Sequence, residues 1–119
     1  MQRTLVFDSL TVGGVNRARK VHVTAAGKAV NAARAITTLG GAATLISFLG
    51  GDAGRFVARG LDAEGVPHEP VWVEDDAPTR TCTTLIPKDG PVTELVEEAP
   101  PVSAGDVAAL EAMVERRLG

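Results

Sequence analysis

Hydrophobic and polar positions change period several times along this chain. Thr4–Asp8 (TLVFD) is a short β-rich run, and Arg19–Thr24 (RKVHVT) alternates polar with β-branched residues, the period of a half-exposed strand. Gly13-Gly14 supplies a turn between them, so the two are expected to form a small sheet with one wet face. From Lys28 to Leu39 the spacing becomes helical: Ala29, Ala32, Ala33, Ile36 and Leu39 repeat at three and four residues, and Gly40-Gly41 ends the run. Ala43–Leu49 (ATLISFL) is almost wholly apolar, as a strand covered on both faces would be. Gly54–Glu64 places Phe56, Val57, Gly60 and Leu61 on one helical face before Gly65, and Glu69–Glu74 (EPVWVE) reads as a second core strand.

Residues 43–73 therefore read strand–helix–strand, the unit of a parallel α/β sheet. Thr81–Ile86 and Val92–Val96 flank Pro87–Gly90, which predicts a hairpin turning at Asp89-Gly90. Ser103 and Asp106 have capping-box spacing, Val102 and Val107 are placed as a hydrophobic staple, and Leu110, Val114 and Leu118 form the expected buried stripe of a last helix. A parallel sheet of two or three strands leaves its edges open, so the pattern is that of part of a larger assembly.

Composition narrows the classes. Of 119 residues 45% are hydrophobic and 23% charged, which suits a soluble globular chain. The net charge of -3 argues against nucleic acid as a partner, because phosphate neutralisation needs a basic surface. Eight of the 15 acidic residues fall between Glu69 and Glu98. The single Cys82 permits no intrachain disulfide, and no Cys/His cluster has zinc spacing. No apolar run approaches the roughly 20 residues that cross a bilayer, so no membrane partner is expected. Asp8 stands where a signal peptide needs apolar residues, so a cytoplasmic location is expected.

The segment Ala26–Asn31 (AGKAVN) carries the most chemistry. A glycine at a helix start lets a ligand approach backbone N–H groups, where the helix dipole favours oxygen-rich or anionic groups. Lys28 and Asn31 lie three apart on one face, turned away from Ala29, Ala33 and Ile36. This suits a polyol or a phosphorylated sugar; a glycine turn with a solvated first helical turn fits the same residues. Leu49–Gly54 (LGGDAG) resembles a dinucleotide fingerprint with Leu49 in the first glycine position and Glu74 some twenty residues on. Gly27-Lys28 is followed by Ala29, not the Ser or Thr of a phosphate-binding P-loop. His22 and His68 have no partner at metal or triad spacing, and Cys82 reads as a packed thiol.

Ala26, Gly27, Lys28, Ala29, Asn31, Ala33, Gly40 and Gly50 match the N-terminal signature of the ribokinase (PfkB) family of carbohydrate kinases. GGVNRA (Gly13–Ala18), FLGGDAGRF (Phe48–Phe56), LDAEGVPHE (Leu61–Glu69), PTRT (Pro78–Thr81) and VTEL (Val92–Leu95) resemble its hexose-phosphate branch, which holds 1-phosphofructokinase and tagatose-6-phosphate kinase. The resemblance implies an α/β fold, the N-terminal part of a ribokinase-like three-layer sandwich with a small β-sheet lid. It implies a partial kinase domain over 1–119, with lid strands in about 4–24 and 79–97 and core segments in about 28–73 and 103–118. It implies that Gly27, Lys28 and Asn31 bind sugar, that Arg80 holds a substrate phosphate, and that Arg17 on the lid segment contributes. ATP and Mg2+ are implied for the whole family protein, with their sites and the catalytic Asp of a Gly-Ala-Gly-Asp motif outside this chain. A homodimer formed through the lid is implied as well. Ala26 and Ala29 replace glycines usual in the family, Gln2 falls at about the place of a sugar-gripping Asp, and Val96 replaces an Asn of the branch. The alternative is a non-catalytic module, either a dinucleotide-binding domain or a degenerate kinase remnant.

Overall fold

The structure, a computed structural model, describes residues 1–119 and contains six strands and three helices. β1 (Gln2–Phe7), β2 (Lys20–Thr24), β5 (Cys82–Pro87) and β6 (Thr93–Val96) form one sheet in the order β2-β1-β5-β6. β1 pairs antiparallel with β2 and parallel with β5, and β5 pairs antiparallel with β6. Between these halves lies the core: α1 (Lys28–Thr38), β3 (Leu45–Leu49), α2 (Gly51–Glu64) and β4 (His68–Trp72). β3 and β4 pair in parallel across α2, which gives the expected strand–helix–strand unit. α3 (Ala104–Leu118) packs on β3 and β4.

Leu45 and Leu49 turn toward α1 and α2, and with Ala25, Val30, Ala33, Val57, Leu61 and Val66 make the apolar cluster. No α3 residue joins that cluster, so α3 occupies the other face of the β3–β4 sheet and the layers are helix, sheet, helix. Gly65 adopts the left-handed conformation (φ 68°) that closes α2.

Three expectations are corrected. Within β3 only Leu45 and Leu49 are buried and the three residues between them are half-buried, because a two-stranded sheet leaves one edge of the strand uncovered. In α1 the buried residues are Val30 and Ala33, whereas Ala29, Ala32, Ile36 and Leu39 remain exposed. In α3, Leu110 and Val114 are half-buried and Leu118 is 84% exposed. The last turn of α3 is tied to β4 by the Arg117–Glu69 ion pair, while Leu118 on its apolar side stays uncovered.

The capping box at Ser103 is formed, and it makes Asp106 the buried residue of α3, 4% exposed. The Asp106 carboxylate accepts from the Ser103 hydroxyl (2.8 Å), the Ser103 N–H (3.2 Å) and the Glu74 N–H (3.1 Å). The Ser103 hydroxyl leads in holding its pKa below the ordinary carboxylate value, against the opposing effect of burial. A carboxyl whose folded pKa is depressed stabilises above its unfolded pKa, and that stability is lost as pH falls through the folded value. Glu64, Glu69 and Asp76 are depressed in the same direction by their arginine partners. The melting temperature is therefore expected to hold from neutral pH to about pH 4 and then fall. Asp106→Asn should lower it at pH 7 and flatten part of the acid slope. Melting curves between pH 7 and pH 3 check this; equal acid slopes in both proteins would contradict it.

The molecule is more extended than its length requires. Its radius of gyration is 16.7 Å, with extents of 53 × 36 × 20 Å. A compact chain of this length has about 13.5 Å. The lid projects from the core and accounts for much of the difference.

Candidate functional site

The strand register brings separate segments together at the base of the lid. Gln2 faces Thr24 on one side and Cys82 on the other. With strands about 4.8 Å apart, Thr24 and Cys82 lie about 10 Å from each other. Three residues beyond Thr24 is Gly27 at the start of α1, and two before Cys82 is Arg80. Both therefore stand where the lid meets the core.

Gly27 is the N-cap of α1 with φ 151°, a conformation that L side chains rarely adopt. It offers no side-chain cap, and the first turn holds no acidic residue. The first helical N–H groups thus keep their capacity to bind a ligand. A methyl group built at Gly27 would meet only Val30 Cγ2, at 3.9 Å, so the approach is open. Lys28 and Asn31 are exposed beside it.

Arg34 is the residue whose role the sequence did not reveal. Its guanidinium donates to both carboxylate oxygens of Glu64 (2.5 and 2.9 Å), to the Ala25 carbonyl (3.0 Å) and to Asn31 Oδ1 (2.9 Å). With Oδ1 so occupied, the Asn31 amide N–H groups are left to face a ligand. The bonds to Glu64 chiefly hold the Glu64 pKa below the usual range and raise that of Arg34. Both side chains remain about a third exposed, so water screens much of the attraction. Arg34→Met is expected to cost about 1–2 kcal/mol in denaturant unfolding. Arg34→Lys should not restore it, because an ammonium with three donors cannot serve four acceptor atoms on three residues in the geometry of a planar fork. A charge pair alone would be restored by lysine, and that outcome would remove the positioning role.

Arg80 is exposed and its guanidinium makes no hydrogen bond or ion pair within the chain; the same holds for Lys28 and Arg17. Arg80 borders a cleft of about 250 Å³ whose walls include Phe48, Gly50, Thr79, Pro101 and Val102. The structure does not bring Arg17 to this base. It lies two residues before Arg19, whose N–H is bonded to the Val6 carbonyl (2.7 Å), and so belongs to the far end of the lid.

The turn at Gly50-Gly51 is filled from within. Asp76 Oδ1 accepts from the Gly51 N–H (2.8 Å) and, with Oδ2, from Arg55. Thr79 accepts from the Gly50 N–H through Oγ1 (3.0 Å) and donates its N–H to the Gly50 carbonyl (2.9 Å). A pyrophosphate at the start of α2 would have to displace this segment, which argues against the dinucleotide-binding alternative. No group of three or more His, Cys, Asp or Glu is placed to hold a metal ion. Ser103–Asp106 (SAGD) is the nearest approach to a Gly-Ala-Gly-Asp motif, and its carboxylate is consumed by the helix cap.

A family model described as pfkB family carbohydrate kinase matches residues 2–117. The chain belongs to the pfkB family. It is 38% identical over 111 residues to a 1-phosphofructokinase of Haloferax volcanii, covering 92% of this chain and 35% of that protein. The phosphofructokinase-2 of Escherichia coli, solved in complex with fructose-6-phosphate, matches with a TM-score of 0.88 and 25% identity, over 97% of this chain and 38% of that one. The tetrameric inhibited form of the same enzyme matches at 0.84, with 25% identity over 95% and 37%. The chain thus spans a little over a third of the length of these pfkB relatives. Its α/β architecture is that of a pfkB kinase fold.

Proposed function

We propose that this chain is the sugar-binding side of an ATP-dependent hexose-phosphate kinase. The observation that carries the reading is the open start of α1, with Asn31 held by Arg34 and the uncommitted Arg80 across the lid base. In this reading Gly27 and Asn31 take sugar hydroxyls, and Lys28 and Arg80 neutralise the phosphate. A guanidinium suits bidentate phosphate contact. Arg17 would act from the far end of the lid. ATP supplies the transferred phosphoryl group, and the base that accepts the hydroxyl proton lies outside this chain. Fructose 1-phosphate, fructose 6-phosphate and tagatose 6-phosphate are the acceptors that suit it.

The lid has two unlike faces. Gln2, Thr4 and Thr84 share one, joined by the hydrogen bond from Gln2 Nε2 to Thr84 Oγ1 (2.7 Å). By strand alternation Leu5, Val21, Val23, Leu85 and Leu95 share the other with Arg3, Thr83 and Thr93, so that face is the more apolar of the two. The polar face suits sugar and the apolar face a second copy of the chain.

Titration of the chain with fructose 1-phosphate and fructose 6-phosphate, followed by amide chemical shifts, tests the reading. Saturable shifts at Gly27–Asn31 and Arg80 are expected, with Arg80→Ala weakening affinity by about tenfold, as for loss of one charge-assisted contact. A folded chain that binds neither sugar would favour the degenerate remnant. Product formed by the chain alone with ATP and Mg2+ would show that the base lies within it.

A further inference from the structure

The Arg80 guanidinium has no partner within the chain, so its aim depends on the backbone that bears it. Residues 73–81 join β4 to β5 and contain no helix or strand. They carry the chain from the core to the lid, and Arg80 is the last residue but one among them. What holds this segment therefore decides where the guanidinium stands.

Thr79, the residue before Arg80, is tied twice to one residue of the core. Its N–H donates to the Gly50 carbonyl (2.9 Å), and its Oγ1 accepts from the Gly50 N–H (3.0 Å). Two bonds between the same two residues fix both the place and the orientation of Thr79. Gly50 is itself anchored between β3 and α2, where its carbonyl also accepts from the Gly54 N–H (2.9 Å). The fit is close, since a Cβ at Gly54 would lie 3.0 Å from Thr79 Oγ1. Gly50 is buried and Thr79 is half-buried.

Thr81, the residue after Arg80, is tied to the lid. Its N–H donates to Glu97 Oε2 (2.8 Å), and its carbonyl accepts from the Glu97 N–H at 3.4 Å. Glu97 is exposed, so water competes for these bonds. The buried Gly50 N–H has no such substitute. The hold on Arg80 thus comes chiefly from the core.

We infer that Thr79 is a positioning residue, whose two bonds to Gly50 aim the Arg80 guanidinium across the base of the lid. This inference deepens the sugar-phosphate reading and rests on it. The hydroxyl is the operative group. Valine has nearly the same shape but no acceptor, so Thr79→Val leaves the Gly50 N–H buried without a partner. The segment must move to let water reach that N–H, and Arg80 moves with it. A guanidinium grips phosphate through a planar fork, and such a contact is lost when the fork is displaced.

A double-mutant cycle tests this, with titrations of fructose 1-phosphate and fructose 6-phosphate read on the more tightly bound of the two. Thr79→Val should weaken affinity by at least about threefold and Arg80→Ala by about tenfold, with the double variant no weaker than Arg80→Ala alone. Thr79→Ser keeps the hydroxyl and should bind as the parent does. Gly65→Ala lowers stability away from the turn and should also leave affinity unchanged, which separates aim from stability. Thr79→Cys carries a weaker acceptor of similar size and serves if Thr79→Val does not fold; its affinity should lie below that of the parent. A parent that binds neither sugar phosphate, or an Arg80→Ala chain that binds as the parent does, would overturn the sugar-phosphate reading and this inference with it. If Arg80→Ala weakens binding, three results would overturn the inference alone. These are unchanged affinity in Thr79→Val or its cysteine substitute, a serine variant as weak as the valine one, and single effects that multiply in the double variant. The last would mean that Thr79 touches the ligand itself.

Discussion

Replacing Gly50 by alanine is expected to remove the cooperative unfolding transition or to lower its midpoint severely. Its φ of -162° is extended and open to any residue, so the cost comes from contact and not from backbone strain. A Cβ there would sit 2.1 Å from the Ala77 carbonyl oxygen and 2.6 Å from Val73 Cγ2. The nearest of these is backbone, in a segment fixed by Asp76 to Gly51 and by Thr79 to Gly50. The methyl group must push residues 76–79 off the start of α2 and break those bonds. Overpacking of about 1–3 kcal/mol, with about 1 kcal/mol for each of two or three lost hydrogen bonds, gives a loss of roughly 3–6 kcal/mol. That is a large share of the total stability of about 6–18 kcal/mol expected for a chain of this size. Gly65→Ala is the natural control: nothing lies within 4 Å, and only its φ of 68° is strained, so about 1 kcal/mol is expected. Urea unfolding of the three proteins decides; a Gly50→Ala chain no weaker than Gly65→Ala would refute the filled turn.

Leu61→Ala should cost about 3 kcal/mol, within the usual range for a buried leucine. Leu61 is the fully buried large side chain, 0% exposed, in a cluster of eight residues. So small a core has little capacity to collapse around the hole. With a urea slope of about 1.5 kcal/mol per molar, the midpoint should fall by about 2 M. The same substitution should loosen the site, because Ala25 belongs to that cluster and its carbonyl holds Arg34. A loss below about 1 kcal/mol would mean that the chain relaxes into the cavity.

Local patterns are legible in the sequence where the decisive interaction is itself local. The helix of α1, the Asp89-Gly90 turn and the Ser103–Asp106 cap depend on residues a few positions apart, and each is visible in the chain. The apolar stripe of α1 was also present in the sequence, but which part of it would be covered was not. Periodicity reports which face is apolar and says nothing about whether a neighbour is there to bury it. The site was half legible. Gly27, Lys28 and Asn31 are contiguous, whereas the link from Arg34 to Glu64 spans thirty residues and that from Asp76 to Gly51 spans twenty-five. Asp76 is a residue with φ of 52° in a loop, and no composition or spacing rule marks it as the cap of a helix so far back in the chain.

The parallel pairing of β1 with β5 has a consequence for the order of events as the chain is made. Gln2 must find Cys82, eighty residues away, before the middle of the lid exists. β1 can pair early with β2, whose last residue is Thr24, but its other edge must wait until residues 82–87 have emerged. At synthesis rates of about 5–20 residues per second, that interval is roughly 3–12 seconds. α1, β3, α2 and β4 need only contacts within residues 25–72 and can assemble meanwhile. The base of the lid, with Gly27 on one side of β1 and Arg80 on the other, is thus put together last, by closing a long loop onto a core that is already in place.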